Sequence, residues 1–387
     1  MQKRQERRLP VTVVTGFLGA GKTTLLRHLL RQSQARLAVV VNEFGEVGID
    51  GELIASCGFC PQEELAGRLV ELANGCLCCT VQEEFLPTMQ QLLERADQLD
   101  GIVVETSGLA LPEPLVAAFR WPEIRSRVRV HAVVTVVDGE ALAQGHVVGD
   151  GEAVEAQRRA DPSLDHLVAI EDLFEDQLAA ADLVLVSRAD RLEPPALQAV
   201  QQRLTGHLRP GTAVLSMAHG AVPVELLIDP GPSAGASRPA AATTATSEAA
   251  RHPELDHHHD DHDHHDHDHH DHDHHDHDQH DHDQHDDHHD HRHVAMQSLV
   301  LQRQGSWQRQ ELESRLRRLI ETQPVLRLKG RWQQRGKQRL LQIQAVGPRF
   351  DSWYEGEVGP EAMDRLELVL LTAAAHADQV SQSLEGL

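Results

Sequence analysis

The cysteines of this sequence have the spacing of metal ligands. Three lie within four residues, at Cys76, Cys78 and Cys79. Thiolates so close together can bind one soft or borderline cation, and Zn²⁺ and Co²⁺ both accept tetrahedral sulfur sites. Cys57 and Cys60 form an accessory metal pair, a thiol switch or a pair without a role, because a single C-x-x-C is a weak signal. We predict a transition-metal site at residues 76–79, with buried structural cysteines and a redox role as alternatives.

A second set of metal-binding side chains lies at residues 252–293, which contain 21 histidines and 16 acidic residues. Neutral imidazoles bind transition metals, and neighbouring carboxylates raise the local cation concentration. Because so polar a tract buries too little apolar surface to offset the entropy of ordering, we predict that it is disordered. It either binds metal without a defined geometry or is a solvated spacer. We expect isolated histidines elsewhere to be structural or on the surface, namely His28, His131, His166, His207, His219 and His376.

Residues 16–23, GFLGAGKT, match the phosphate-loop pattern G-x-x-x-x-G-K-[ST]. They lie between a predicted strand at 11–14 and a predicted helix at 22–32, which is the context the pattern requires. Lys22 is expected to reach the β- and γ-phosphate oxygens, and the Thr23 hydroxyl to bind Mg²⁺. A chance match in a glycine-rich turn is the alternative. The predicted nucleotide contacts here are Gly16, Gly19, Ala20, Gly21, Lys22, Thr23 and Thr24.

Two acidic residues follow other predicted strands. Glu105 ends an apolar run at 102–104, where a carboxylate can hold Mg²⁺ directly or through water, and Gly108 follows it as a sensor of the γ-phosphate. A surface glutamate is the alternative for Glu105. Glu43 follows the second predicted strand and is either a ligand of Mg²⁺ or its water, or a solvated acid. Lys22, Thr23 and Glu105 are therefore the candidate catalytic residues.

A possible base-recognition loop follows the strand predicted at 183–186. Ser187, Arg188 and Asp190 occupy the positions of Asn, Lys and Asp in the guanine motif Asn-Lys-x-Asp. Asp190 can accept hydrogen bonds from guanine N1 and N2, and Arg188 can cover the base as lysine does. Ser187 is shorter than asparagine, which puts one contact in doubt. Because the acid is retained, GTP is favoured over ATP.

The elements around these motifs predict an α/β domain over residues 1–229. Short β-branched runs alternate with helical stretches, and their continuous apolar character is typical of parallel strands buried on both faces. We predict a doubly wound, mostly parallel sheet of the P-loop NTPase type. Residues 145–165 are polar and predicted to be a loop or lid. Further strands are predicted at 37–41, 101–104, 130–137, 183–186 and 213–215.

The remaining chain is predicted to form a disordered linker over 230–293 and a small α+β domain over 294–387. Residues 230–250 are rich in Pro, Gly, Ser, Ala and Thr, which is typical of a flexible linker. In the last domain we expect a sheet with helices on one face, and a half-buried strand at 341–345 in which Gln342 and Gln344 face solvent. Its other elements are strands at 296–302 and 366–371 and a helix at 307–321.

Composition excludes several classes of function. The net charge is −24, concentrated in the His/Asp tract, and lysine and arginine are not clustered, so nucleic acid is not an expected partner. No apolar run approaches the length of a membrane span. The charged N-terminus lacks the apolar core of a signal peptide. We therefore expect a cytoplasmic protein, in which clustered thiols bind metal or take part in redox chemistry rather than forming disulfides.

Together these motifs resemble the CobW family of GTPase metallochaperones, and the resemblance spans nearly the whole chain. Residues 71–76, together with Cys57 and Cys60, look most like CobW proper. That similarity implies a cobalt-directed role in cobalamin biosynthesis, with delivery to the cobalt chelatase, whereas sister groups handle zinc or activate metalloenzymes. The motifs that carry the resemblance are TGFLGAGKTT at 15–24, NEFG at 42–45, GCLCC at 75–79, ETSG at 105–108 and VLRLKG at 325–330.

These observations predict a GTP-dependent carrier of Co²⁺ or Zn²⁺ that uses Mg²⁺ and delivers its ion to a client metalloprotein or to the chelatase. Three alternatives stay open: a zinc-directed carrier, a GTPase that assembles a metalloenzyme, and a metal buffer acting through the histidine tract. A small-molecule kinase is less favoured, because no acceptor-site signature is found. A homodimer is possible. Slow intrinsic turnover is expected, because no arginine finger is identifiable in cis.

Overall fold

The structure is a computed structural model that describes residues 8–41, 69–71, 85–160, 169–229, 295–358 and 364–387. All of these residues belong to one compact unit, Met1–Ala234 with His291–Leu387. The predicted metal ligands Cys57, Cys60, Cys76, Cys78 and Cys79 lie outside the described residues. Glu43, His166 and the His/Asp tract at 252–293 lie outside them as well.

The first part of the chain forms a seven-stranded sheet in which every neighbouring pair is parallel. Its strands are β1 (Leu9–Thr15), β2 (Leu37–Val41), β3 (Leu69–Glu71), β4 (Gly101–Glu105), β5 (Val128–Asp138), β6 (Leu183–Ser187) and β7 (Ala213–Ser216). The order across the sheet is β3-β2-β4-β1-β5-β6-β7. The strand ends that carry the predicted site residues therefore meet at one edge of the sheet.

Helices cover both faces of this sheet. The side chains of successive residues in one strand point to opposite faces of the sheet. Val14 therefore packs with the helix at Lys22–Gln32, whereas Val13 packs with the helices at Leu86–Glu94 and Pro112–Ala118. This confirms the doubly wound α/β fold. The helices are α1 (Lys22–Gln32), α2 (Leu86–Glu94), α3 (Pro112–Ala118), α4 (Gly139–Ala143), α5 (Gly151–Ala160), α6 (Ile170–Ala180), α7 (Pro194–Thr205) and α8 (Val224–Leu227).

Helix α5 corrects the prediction that residues 145–165 are a loop or lid. Asp150 Oδ1 accepts a hydrogen bond from the Ala153 amide at 2.9 Å, which satisfies one of the free N–H groups at the helix start. Val154 is buried in the same cluster as Phe17 and Phe174. The sequence did not predict this helix, because among its described residues only Val154 is apolar and buried and only Asp150 gives a cap signal, in a segment that is mostly polar.

The last part of the chain forms a five-stranded antiparallel sheet in the order β11-β10-β9-β12-β8. Its elements are β8 (Met296–Gln304), α9 (Arg309–Thr322), β9 (Val325–Gln333), β10 (Arg339–Val346), β11 (Arg349–Glu357), β12 (Arg365–Ala373) and α10 (Ala377–Glu385). Leu366, Leu368 and Leu370 of β12 share a buried cluster with Leu316 of α9 and Val380 of α10. Both helices therefore pack on one face, as predicted.

The other face of this sheet meets the parallel-sheet domain, which corrects the prediction that Gln344 faces solvent. Gln344 is 7% exposed, and its Nε2 donates to Asp229 Oδ2 at 2.6 Å. Asp229 also accepts from Arg129, from Arg327 Nη2 at 3.1 Å and from Lys329 Nζ at 3.0 Å. One buried carboxylate thus joins strands from both parts of the chain.

The charges around Asp229 set two pKa values. Burial alone would raise the pKa of the Asp229 carboxyl, but Lys329, Arg129 and Arg327 outweigh it, and the pKa lies well below its usual range. His131 is buried beside the same cations, and burial together with Arg327 and Arg129 lowers its pKa well below the ordinary value. His131 is therefore a neutral structural histidine at pH 7, one of the two environments predicted for it.

None of the helices in the described ranges has both the length and the apolar content needed to cross a bilayer.

Candidate functional site

The phosphate loop connects β1 to α1 and depends on glycine conformations. Gly16 has φ 134°, and a Cβ there would lie 2.1 Å from the carbonyl oxygen of Val136. Gly21, at the N-cap of α1, has φ 107° in the left-handed region. The close approach excludes a side chain at Gly16, and the positive φ favours glycine at Gly21. The loop therefore curls around the start of α1 with its backbone amides available to a ligand.

Lys22 is held over this loop. Its Nζ donates to the carbonyl oxygens of Gly16 at 2.8 Å and Phe17 at 3.2 Å, and the residue is 7% exposed. A buried ammonium in the first turn of a helix adds its charge to the favourable field of the helix N-terminus. The loop therefore presents a concentrated positive potential, suited to a polyphosphate.

An open cavity of about 190 Å³ lies against the loop. It brings together predicted site residues from two strand ends and one helix start. It also contains residues that the sequence did not single out, such as Gln157. The lining residues are Leu18, Gly19, Gly21, Lys22, Thr23, Thr24, Glu105, Thr106, Ser107, Gly108 and Gln157.

Thr23 and Glu105 line the same cavity, and the chemistry of their side-chain oxygens fits Mg²⁺, which prefers hydroxyl, carboxylate and water oxygens. Glu105 is 5% exposed at the carboxyl end of β4. Thr106 Oγ1 donates to Thr15 Oγ1 at 3.0 Å, which ties the end of β4 to that of β1. The carboxylate is thus held at a defined position next to the phosphate loop. The third predicted oxygen ligand, Glu43, lies outside the described residues.

The loop after β6 carries the predicted base contacts. Ser187 is buried, Asp190 is exposed, and Arg188 lies between them in the left-handed region with φ 52°. Arg188 forms an ion pair with Asp138, and its Nη2 donates to the carbonyl oxygen of Gly19 at 3.1 Å. The guanidinium therefore bridges the base loop, the end of β5 and the phosphate loop.

Asp138 was missed by the sequence analysis. It ends β5, is 4% exposed, and its Oδ1 accepts from the backbone amides of Glu140 at 3.1 Å and Ala141 at 3.3 Å. It thus caps α4 with one oxygen and holds Arg188 with the other. The signal available was its position at the carboxyl end of a central strand, where ligand sites of such sheets lie.

The sequence analysis also missed two further features around the nucleotide cavity. The loop after β7 lies beside the start of α1, because a Cβ at Gly220 would lie 2.5 Å from the carbonyl oxygen of Thr24. Gln157 of α5 faces the cavity, and a Cβ at Gly108 would lie 3.4 Å from its Oε1. That Oε1 is buried and has no hydrogen-bond partner among the described residues.

The described residues contain no group of three or more His, Cys, Asp or Glu side chains that could hold a metal ion. Val41 of β2 pairs in register with both Glu71 of β3 and Glu105 of β4, so these three strand ends lie side by side. In the sequence, Cys76 follows Glu71 by five residues.

Comparison with known proteins identifies two domains. The family described as CobW/HypB/UreG, nucleotide-binding domain, matches residues 10–216. The family described as cobalamin synthesis protein cobW C-terminal domain matches residues 296–387.

Two relatives are similar in sequence. A protein named zinc chaperone CobW from Pseudomonas aeruginosa is 55% identical over 57% of this chain, and the alignment spans 60% of that relative. A zinc chaperone CobW from a Sinorhizobium species is 37% identical over 94% of this chain and 92% of its own length. The crystal structure of the Zn(II)-bound YjiA GTPase from E. coli aligns with 98% of this chain and 99% of its own, with 19% identity and a TM-score of 0.38.

Proposed function

Because the chain belongs to the CobW/HypB/UreG family, we propose that it is a GTP-dependent metal carrier with zinc as its cargo. Membership confirms the prediction of a P-loop GTPase of the CobW type. The predicted division at 1–229, 230–293 and 294–387 is part of the proposal. It is supported by the end of α8 at Leu227 and the start of β8 at Met296.

The observation that carries the proposal is the alignment of three strand ends. Val41, Glu71 and Glu105 lie in register at the edge that borders the nucleotide cavity. The thiols follow β3 by only a few residues, and the NEFG segment follows β2 directly. A change in the position of either strand end on nucleotide binding therefore changes the geometry available to the thiols. Thermodynamic linkage then requires that MgGTP raises the affinity for metal by the same factor as metal raises the affinity for MgGTP.

The residues of the cavity have distinct roles in this proposal. Lys22 and the amides at Gly19, Ala20, Gly21 and Thr24 bind the phosphates, with Gly16 setting the turn and Gly108 close to the γ-phosphate. Mg²⁺ held by Thr23 and Glu105 would neutralise charge that develops on the phosphate oxygens. Asp190 reads the guanine edge, while Arg188 and Ser187 position the base loop. Hydrolysis relaxes the thiol geometry, and the ion passes to a client metalloprotein.

The choice of zinc over cobalt rests on the names of the relatives. Cysteine thiolates accept Zn²⁺ and Co²⁺ in similar tetrahedral geometry, so residues 76–79 do not discriminate by themselves. Two relatives are named zinc chaperones: one aligns with 57% of this chain and the other with 94% of it. Cobalt, delivered to the chelatase of cobalamin biosynthesis, is the competing version. Cys57 and Cys60 are accessory ligands in either version.

A zinc competition assay against a chromophoric chelator tests the proposal, in a chain lacking the histidine tract at 252–293 so that only the thiols are followed. In MgGTP the chain should bind Zn²⁺ at least tenfold more tightly than in MgGDP, a coupling of about 1.4 kcal/mol. Cys78→Ser should remove the difference. Lys22→Ala should remove it as well, since it prevents nucleotide binding. A Cys78→Ser variant that keeps its zinc affinity in MgGTP would overturn the proposal.

A further inference from the structure

A second cavity, of about 460 Å³, lies at the opposite edge of the parallel sheet from the phosphate loop. It opens at the amino-terminal ends of β6 and β7, where Asp182 and Arg209 precede the two strands. Its walls come from α3, the end of α6, α9 and the turn between β10 and β11. Four of its lining side chains are arginines, Arg120, Arg209, Arg317 and Arg349.

Two of these arginines are held from behind by one buried carboxylate. Asp182 is fully buried and accepts from Arg209 Nη2 at 2.8 Å, from Arg349 and from the Val133 amide at 2.7 Å. Arg209 Nη2 also donates to the carbonyl oxygen of Ala181 at 2.8 Å. A single carboxylate cannot neutralise two guanidinium groups, so the pair keeps an excess positive charge at a defined position.

The other two arginines are exposed at the rim. The guanidinium of Arg317 lies over the ring of Phe350, 4.3 Å from its centre. Arg120 follows α3 and lines the same cavity. Glu113 is the only acidic residue among those that line the cavity. Burial, with a contribution from Asp176, raises the pKa of the Glu113 carboxyl. With four arginines and one glutamate among the described lining residues, the wall carries more positive than negative charge.

We propose that this cavity binds a small organic anion, in which a carboxylate or phosphate group meets the guanidinium groups and an apolar or aromatic body lies on Val116 and Ala117. Arginine forks match both anions through paired N–H donors. The volume is that of a small-molecule site. Gln177 of α6 donates to the carbonyl oxygen of Gly108 at 3.1 Å, and Gly108 lines the nucleotide cavity. The helix whose end forms one wall of this second cavity therefore also contacts the nucleotide site. This site is independent of metal carriage.

Titration calorimetry on the full chain tests the proposal with phenyl phosphate and phenylacetate as separate probes. The protein is saturated with MgGDP, so that the phosphate loop is occupied, and kept at pH 8, above the ordinary pKa of histidine. At least one probe should bind with 1:1 stoichiometry, and the tighter one identifies the anionic group. Arg120→Ala combined with Arg317→Ala should weaken binding at least tenfold. Glu113→Gln should tighten it about threefold, because it removes the opposing charge.

Arg318→Ala is the matched control, since Arg318 is exposed on the same helix and does not line the cavity. Its probe affinity should equal that of the wild type. Absence of saturable binding by both probes, or equal affinity in the double variant and the wild type, would overturn the proposal. Inorganic sulfate that binds as tightly as phenyl phosphate would overturn the part that assigns an organic body.

Discussion

Arg188 Nη2 donates to the carbonyl oxygen of Gly19 at 3.1 Å, which ties the base loop to the phosphate loop. The same guanidinium is paired with Asp138, whose other oxygen caps α4. Three loops at the carboxyl ends of β1, β5 and β6 are therefore positioned by one side chain. A nucleotide that contacts the first and third of these loops meets a partly preorganised site, which lowers the entropic cost of binding.

Replacing Asp138 tests this preorganisation. In Asp138→Asn the amide can still cap α4 through its oxygen but no longer pairs with Arg188. Because the guanidinium is partly exposed, we expect a loss of about 1 kcal/mol, roughly a fivefold weaker affinity for GTP and GDP. The preference for GTP over ATP should not change, because Asp190 is untouched. Fluorescent-nucleotide titration measures both quantities.

The exposed Glu140→Gln provides the comparison, since Glu140 Oε2 lies 3.6 Å from Arg188 Nε. It should change the affinity less than twofold. Equal effects of the two variants would show that the buried ion pair does not position the loop.

In the proposed function, Asp190 determines the choice of base. In Asp190→Asn the carboxylate no longer accepts from guanine N1 and N2. Two charge-assisted hydrogen bonds are lost, together about 3 kcal/mol, so GTP affinity should fall about 100-fold. The new amide can donate to the 2-oxo group of xanthine, so XTP should bind the variant better than GTP does. Competition titrations with both nucleotides test this, with Asp172→Asn on the surface of α6 as control. Unchanged GTP affinity would place the base elsewhere.

Gln157 should act in hydrolysis rather than in binding. Its Oε1 is buried at the cavity next to Gly108, where a side-chain amide can orient the attacking water. Gln157→Ala should lower kcat about 30-fold, an effect of about 2 kcal/mol on the barrier, and leave the dissociation constant of GTP within twofold. Phosphate release measures kcat. Arg159→Ala on the same helix should keep it, and a Gln157 variant with wild-type kcat would contradict the role.

Asp229 should contribute strongly to stability. Asp229→Asn leaves Arg129, Arg327 and Lys329 next to one another without their shared carboxylate. Removing one partner of a buried ion pair typically costs about 3 kcal/mol or more of unfolding free energy. Urea unfolding at pH 7 measures the loss. Asp351→Asn, which breaks a surface pair with Arg8, is the matched control and should cost less than about 1 kcal/mol.

The contribution of Asp229 also has a defined pH dependence. Its native pKa lies below that of the unfolded chain, so the stabilisation is fully present above the unfolded value of about 4 and is lost as the pH falls below it. The stability difference between wild type and Asp229→Asn should therefore shrink from pH 7 to pH 3. A difference that stays constant over this range would show that the carboxylate charge is not responsible.

The parts of the site that depend on local sequence were predictable. The phosphate loop, the helix Lys22–Gln32 and the position of Glu105 at the end of β4 follow from a short pattern within a strand-loop-helix unit. The base loop after Ser187 was predicted in the same way. In each case the residues that determine the conformation are within a few positions of one another, so the sequence contains the necessary information.

The parts that depend on distant partners were not predictable. The pairing of Asp138 with Arg188 joins residues 50 positions apart, and Gln344 reaches Asp229 over 115 positions. The alternating pattern of β10 suggested that Gln344 faces solvent, because alternation shows which face is polar but not whether another domain covers it. Helix α5 was missed for a related reason, since its one buried contact, Val154, depends on α6 and β5.

The central claim is that nucleotide state controls metal affinity at the thiols. Co²⁺ titration followed by visible absorbance tests it most directly, in a chain lacking residues 252–293 and in the same chain with Cys76, Cys78 and Cys79 changed to serine. The account predicts intense thiolate–cobalt bands and binding at least tenfold tighter in MgGTP than in MgGDP or without nucleotide, all lost in the serine variant. Equal affinity in the three nucleotide states, or bands that survive the serine substitutions, would contradict it.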